Sequence, residues 1–294
     1  MRTSWSSSKE PPVAEALPTS VWPVAQRTSA VQRAGRYRPE SMAHPGKMLP
    51  AIAAAAVAAY TQPGDLVVDP MCGIGTTLVE AIHAGRDAMG IEYEQRWTGV
   101  ARANLAHAGE QGGTGRGRVF LGDGRAVARL VPKAARGQVA LALTSPPYGP
   151  SLHGQVKARR GAGVAKSDFS YSEDRANLGR ASYGQLLAAM GEILAGCAEV
   201  LRPGGVVAMT TRPWRRHGAL IDLPGDLVGV GEDVGLVLFE RNVALLAAIR
   251  DDRLVPRASF FALERTRKAS QEGVPQLVIA HEDLLVFRKP EGHR

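Results

Sequence analysis

The sequence predicts an α/β fold, a mostly parallel seven-stranded sheet with helices on both faces. Three observations carry this reading. Short apolar runs of strand character alternate with stretches of helical spacing from residue 48 onward. Seven such runs occur, at 66–70, 86–93, 119–123, 139–144, 206–211, 235–246 and 283–288. Glycine-bearing or acidic turns follow the first three, at the strand ends where open α/β sheets bind their ligands.

Residues 1–40 are rich in Ser, Pro and Arg without sustained periodicity. They are expected to form a basic, partly disordered N-terminal arm, with Arg27, Arg33, Arg36 and Arg38 as its basic end. Met48 to Tyr60 has the alanine content of a buried helix, and Pro50 suits its first turn, where a missing N–H costs nothing. Gln62-Pro63-Gly64-Asp65 breaks the chain before the first strand. Helices are expected over 76–84, after the turn Cys72-Gly73-Ile74-Gly75, and over 96–108. The fourth strand, Val139 to Thr144, runs into Ser145-Pro146-Pro147-Tyr148. A helix over 183–201 and the turn Arg202-Pro203-Gly204-Gly205 lead to the fifth strand. Between them the periodicity stops: a polar, basic insert at 149–181 begins at the ligand-binding edge of the sheet. It carries Lys157, Arg159, Arg160, Lys166, Arg175 and Arg180 against Asp168, Glu173 and Asp174. A loop of that length in a compact domain is functional or disordered, and its start at the ligand-binding edge favours function. Residues 41–294 thus read as one domain carrying this insert.

The 294 residues are 45% apolar, enough to build a full core. Lys and Arg number 36 against 28 Asp and Glu, a formal charge of +8 that suits a polyanionic partner. Cys72 and Cys197 cannot make a disulfide framework or a zinc knuckle and read as reduced thiols. The N-terminus lacks the apolar run of a signal peptide, and the most hydrophobic stretch, 48–60, is too short to cross a bilayer. A cytoplasmic protein, monomeric or weakly dimeric and without a membrane partner, is the expectation.

Three motifs compose a cofactor site at successive strand ends. In Asp69-Pro70-Met71-Cys72-Gly73-Ile74-Gly75-Thr76-Thr77, Gly73 and Gly75 let the backbone turn tightly and approach a ligand. The helix starting near Thr76 offers free N–H groups to a carboxylate, and Asp69 can accept from a cationic amine. Glu92, before Tyr93, is placed to accept from both hydroxyls of a ribose. Asp123, before Gly124, can accept from an adenine amine, and Gly122 leaves room for the ring. A dinucleotide enzyme would carry a third phosphate-loop glycine where Leu78 stands, and would have less use for an acid at Asp69. This order of residues resembles the Rossmann-like class I methyltransferases, and the cofactor it implies is S-adenosylmethionine.

Ser145-Pro146-Pro147-Tyr148 is the most specific feature of the chain. The exocyclic amine of a base is a poor nucleophile because its lone pair is delocalised into the ring. Acceptors that hold its N–H bonds out of the ring plane favour the transition state. Ser145 and the carbonyl of Pro146 can supply them, the paired prolines stiffen the turn, and Tyr148 offers a face on which an extruded base can stack. Over residues 40–215 the arrangement resembles the DNA amino-methyltransferases of the N4-cytosine and N6-adenine group. Their motif is Asp, Asn or Ser followed by Pro-Pro and an aromatic. The resemblance implies methyl transfer to a base in DNA, with the Ser form favouring cytosine N4 over adenine N6. His44-Pro45-Gly46-Lys47-Met48 matches that family's element contacting the methionine end of the cofactor, so His44 and Lys47 join the site. The cofactor half precedes the catalytic half, an order unlike the common N4-cytosine enzymes. A large target-recognition region of the restriction-modification kind is not evident; the arm, the insert and the last eighty or so residues are the candidates. Met71-Cys72-Gly73 also resembles the tRNA guanine-N2 methyltransferases of the Trm11 and THUMP type, which makes RNA the alternative acceptor. His153 in the insert, the Arg212, Trp214, Arg215, Arg216 group after the fifth strand, and Arg250, Arg253 and Arg257 beside Asp251 and Asp252 are further candidates for nucleic-acid contact or plain surface pairing.

Overall fold

A computed structural model describes residues 17–147, 155–159, 163–167, 174, 177–216, 219–258, 260–274 and 276–291. Along the chain run β1 (Val21–Trp22), α1 (Ser29–Arg33), α2 (Pro50–Tyr60), β2 (Leu66–Asp69), α3 (Thr76–His83), β3 (Asp87–Glu92), α4 (Gln95–Glu110), β4 (Gly117–Leu121), α5 (Val127–Leu130) and β5 (Val139–Thr144). Within the insert, β6 (Gln155–Arg159) and β7 (Gly163–Ser167) pair as a hairpin. There follow α6 (Tyr183–Val200), β8 (Leu201–Thr211), the hairpin of β9 (Trp214–Arg216) and β10 (Ala219–Ile221), α7 (Leu223–Asp233) and β11 (Val237–Leu245). Last come β12 (Ala247–Arg250), β13 (Arg253–Pro256), α8 (Phe260–Gln271) and β14 (His281–Arg288).

All seven predicted strands enter one sheet in the order β4-β3-β2-β5-β8-β14-β11. Only β14 runs against its neighbours; the other pairs are parallel. An eighth strand, β1, extends the edge beyond β11, with Val21 opposite Val243 and Trp22 opposite Ala244. Its source is the arm. Two residues show no alternation to read, and only the partner strand makes them β. The rest of the arm's described part is also bound down. Arg33 is buried, its Nη2 donating to the carbonyl of Met48, rather than offered to a partner. Arg36 donates from Nε to Glu80 at 2.8 Å, and the Tyr37 hydroxyl donates to the same carboxylate at 2.6 Å. Of the expected partly disordered stretch at the start of the arm, residues 1–16 lie outside the described residues.

Helices cover both faces. Ile52, Ala53, Ala56 and Val57 of α2, with α3 and α4, pack on Val67, Leu141, Leu143, Ala208 and Leu284. Leu186, Met190, Ile193 and Leu194 of α6, with α7, pack on Val68, Ala142, Val207, Met209 and Leu285. Successive strand residues face opposite layers, and both layers are dry, which is why these strands read as unbroken apolar runs. Ser182 and Gln185 start α6 with a reciprocal capping box, which marks where the insert ends and the domain resumes.

Candidate active site

β2, β3, β4, β5 and β8 all end on one edge of the sheet, and the site is built there. After β2 the chain turns through Gly73 (φ +54) and Gly75 (φ +81), left-handed conformations that favour glycine. Cys72 donates its N–H to the carbonyl of Ile91 at 2.9 Å, and Gly75 donates to the carbonyl of Cys72 at 2.7 Å, so the loop leans on β3. Cys72 is buried, and burial pushes its thiol far up, consistent with a packing role. No side chain caps α3 at Gly75, which leaves its first N–H groups beside the cavity that Thr76 and Thr77 line.

Asp69 is buried beneath this loop. Its carboxylate accepts from Thr77 Oγ1 at 2.6 Å, Thr144 Oγ1 at 3.0 Å and the Met71 N–H at 3.0 Å. Burial raises its pKa to about 6 against these three donors. The side chain thereby ties β2, α3 and β5 together while lining the cavity. Glu92, the last residue of β3, accepts from the N–H of Gly73 at 2.8 Å and of Glu94 at 2.7 Å. Burial pushes its carboxyl up to about 7. Each oxygen of Glu92 retains capacity for another donor. Asp123 follows β4 and is part-buried, which pushes its pKa up. The Arg125 guanidinium (Nη2 to Oδ2 2.6 Å) and the Arg125 N–H (2.9 Å) outweigh that and hold it below the usual carboxylate range.

His44 is buried and meets Trp97 edge to face, ring centroids 4.6 Å apart. Lys47 donates from Nζ to the carbonyls of His44 and Met42, and burial, aided by the charge of Arg33, lowers its pKa to about 8. Close approach matters here as much as charge. A Cβ on Gly73 would stand 3.2 Å from His44 Nε2, and one on Gly124 would stand 2.5 Å from the Pro70 carbonyl oxygen.

These residues surround one cavity of about 320 Å³. It is lined by His44, Lys47, Asp69, Pro70, Met71, Cys72, Gly73, Thr76, Thr77, Glu92, Tyr93, Asp123 and Gly124, and also by Ser145, Pro146 and Pro147. Gly75 shapes the turn without lining it. Tyr148 and His153 lie outside the described residues. Sequence reasoning missed Asn177, Leu178, Thr210 and Glu282, which also line the cavity. Asn177 donates to Glu94 at 2.9 Å and the Tyr93 hydroxyl donates to Asp174 at 2.6 Å, so the returning end of the insert is fastened beside Glu92. Arg212 lines the cavity, as its place after the fifth strand suggested, but Trp214 does not. The indole is buried edge-on against Tyr183, 5.6 Å between centroids, because the hairpin after Arg212 folds back onto α6. Arg250 donates to Gln26 at 3.0 Å rather than to Asp251 or Asp252. Among the described residues no group of three or more His, Cys, Asp or Glu could hold a metal, and no helix is long and apolar enough to cross a membrane.

Residues 4–101 match the family model described as DNA methylase, of the N6 and N4 kind. This segment is similar to the DNA methylases. It contains His44, Lys47, the glycine loop and Glu92, and stops before the Asp123 and Ser145 turns. The described fold is that of the Rossmann-like class I methyltransferases. The crystal structure of TrmN from Thermus thermophilus superposes with a TM-score of 0.50 at 18% identity, over 88% of this chain and 53% of that one. The chain therefore spans about half the length of TrmN. A SAM-dependent O-methyltransferase from Thermotoga maritima matches with a TM-score of 0.48 at 12% identity, over 87% of this chain and 71% of that one.

Proposed function

We propose that this DNA methylase relative transfers a methyl group from S-adenosylmethionine to the exocyclic amine of a base in DNA, and that the base is cytosine, at N4. The observation that carries the proposal is the single cavity. The loop of Gly73, the carboxylate of Glu92, Ser145 and Pro146 all line it.

The chemistry of the lining fits the cofactor. Glu92 is a buried carboxylate with spare acceptor capacity, suited to a pair of ribose hydroxyls. Asp123 sits where an adenine amine can be met, and Gly124 keeps the Pro70 carbonyl close by having no Cβ. The uncapped start of α3 suits the carboxylate of the methionine portion, and His44 and Lys47 close that end. When bound, S-adenosylmethionine would supply an electrophilic methyl on its sulfonium: the amine nitrogen would bond to the methyl carbon as the carbon–sulfur bond breaks, S-adenosylhomocysteine would leave as the neutral thioether, and one N–H proton would be released to solvent. The protein's part is at the amine. Ser145 Oγ and the Pro146 carbonyl accept its two N–H bonds and hold them away from the ring plane, which returns the lone pair to nitrogen. Pro147 keeps the turn rigid, so the acceptors need not reorganise during the reaction.

Tritiated methyl transfer, with genomic DNA and bulk tRNA offered in parallel, tests the proposal. Label in DNA is the expected result. Label in tRNA alone would transfer the chemistry to RNA, and label in neither would remove it.

A further inference from the structure

The cavity ends, past Ser145, on a wall that none of the motifs accounts for. Thr210 lies at the end of β8, Arg212 follows it, and Glu282 lies at the start of β14. β5 and β8 run parallel with Thr144 opposite Met209, so Ser145 and Thr210 continue side by side. β14 runs antiparallel to β8 with Leu284 opposite Thr210 and Asp283 opposite Thr211; one step further sets Glu282 opposite Arg212. Side-chain alternation puts Thr210 and Arg212 on the face of Ala208, and Glu282 on the face of Leu284. Ala208 and Leu284 share one layer, so the three polar residues gather on one side of the sheet edge.

Thr210 is 0% exposed, and among the described residues its hydroxyl has no hydrogen-bond partner. Buried hydroxyls are nearly always paired, and one left open on a cavity wall is suited to a ligand that completes it. Arg212 adds N–H donors in a planar fork. Donors select among bases. Beside its amine, cytosine presents two acceptors in a row, N3 and O2. Adenine presents N1 and then a C–H, and guanine presents an N–H donor beside its amine.

We propose that Thr210 and Arg212 form the subsite for the ring edge of the acceptor base, donating to N3 and O2 of cytosine. The subsite rests on the proposed transfer to cytosine N4. It gives the cavity itself a means to choose cytosine once a base has entered. The choice follows from leaving a buried donor unpaired when the wrong base is bound.

The test uses the full chain and a DNA duplex bearing a site that the wild type methylates. The target nucleotide is either cytidine or the C-nucleoside of 2-aminopyridine, which keeps the amine and ring nitrogen but lacks O2, assayed at a pH where the pyridine is neutral. On cytosine, Arg212→Ala is expected to lower kcat/KM at least tenfold, and the near-isosteric Thr210→Val severalfold, with S-adenosylmethionine affinity by calorimetry within twofold of wild type. Loss of O2 is expected to cost the wild type at least tenfold and Arg212→Ala less than twofold. Wild-type kcat/KM in both variants, or an equal penalty for the missing O2 in wild type and Arg212→Ala, would overturn the subsite while leaving the methyl transfer in place. If the wild type methylates no cytosine in DNA, the proposed function falls and the subsite falls with it.

Discussion

The backbone N–H of Gly73 donates to Oε2 of Glu92 at 2.8 Å, which joins the loop after β2 to the end of β3. Two motifs that look independent in the sequence are therefore one unit. The glycine turn is aimed by the carboxylate of the next strand, and that carboxylate is buried by the turn.

The burial has a pH signature. The Glu92 carboxyl rises from an ordinary 4.5 to about 7 in the folded chain, so between these values the folded state holds a proton that the unfolded state has lost. Stability from this group is fully present below about 4.5 and is lost as pH rises through about 7, by about 3 kcal/mol in total. In urea denaturation of the cofactor-free protein, wild type should lose about that much relative to Glu92→Gln between pH 4.5 and pH 7.5. Parallel stability curves for the two proteins would refute this.

Gly124 tests the close packing beneath the proposed adenine site. An added Cβ would stand 2.5 Å from the Pro70 carbonyl oxygen, which is backbone and cannot swing aside. Gly124→Ala should cost about 1–3 kcal/mol in stability. It should also weaken S-adenosylmethionine binding by calorimetry at least tenfold. Unchanged affinity would show that the Pro70 and Asp123 turns do not shape the cofactor site together.

Glu80 anchors the arm. It is buried and takes the Arg36 guanidinium and the Tyr37 hydroxyl, and Tyr37 is itself buried. Glu80→Ala strands that hydroxyl and should cost about 2–4 kcal/mol, the lower end reflecting the partial exposure of Arg36. Limited proteolysis should then cut within residues 17–43 well before the domain is degraded. Equal cleavage rates in wild type and variant would contradict the anchoring role.

Ser145 separates chemistry from binding. Ser145→Ala removes one acceptor for the amine while leaving the Asp69 and Glu92 hydrogen bonds untouched. Turnover should fall at least about tenfold with the affinity for S-adenosylmethionine unchanged. A loss of cofactor affinity would show that the turn serves the cofactor instead.

What the sequence reveals is set by how local each signal is. The central strands β2, β5, β8 and β14 show because both of their faces are largely buried, and the turns after β2, β3, β4 and β5 show because each carries its own Gly, acid or Pro-Pro mark. β1 does not show, since two residues become a strand only by pairing with Val243 and Ala244. Arg33 reads as a surface charge until the carbonyl of Met48 is found beside it. Thr210 and Glu282 carry no motif. They reach the cavity because β14 runs back along β8, a pairing across some seventy positions that no window of sequence contains. Asn177 reaches it because the insert returns to Glu94.

The central claim is the acceptor. DNA incubated with the full chain and S-adenosylmethionine, digested to nucleosides and resolved by mass spectrometry, should contain N4-methylcytosine in a Ser145-dependent amount. Methyl groups found only on adenine N6, or none above the Ser145→Ala control, would contradict the account.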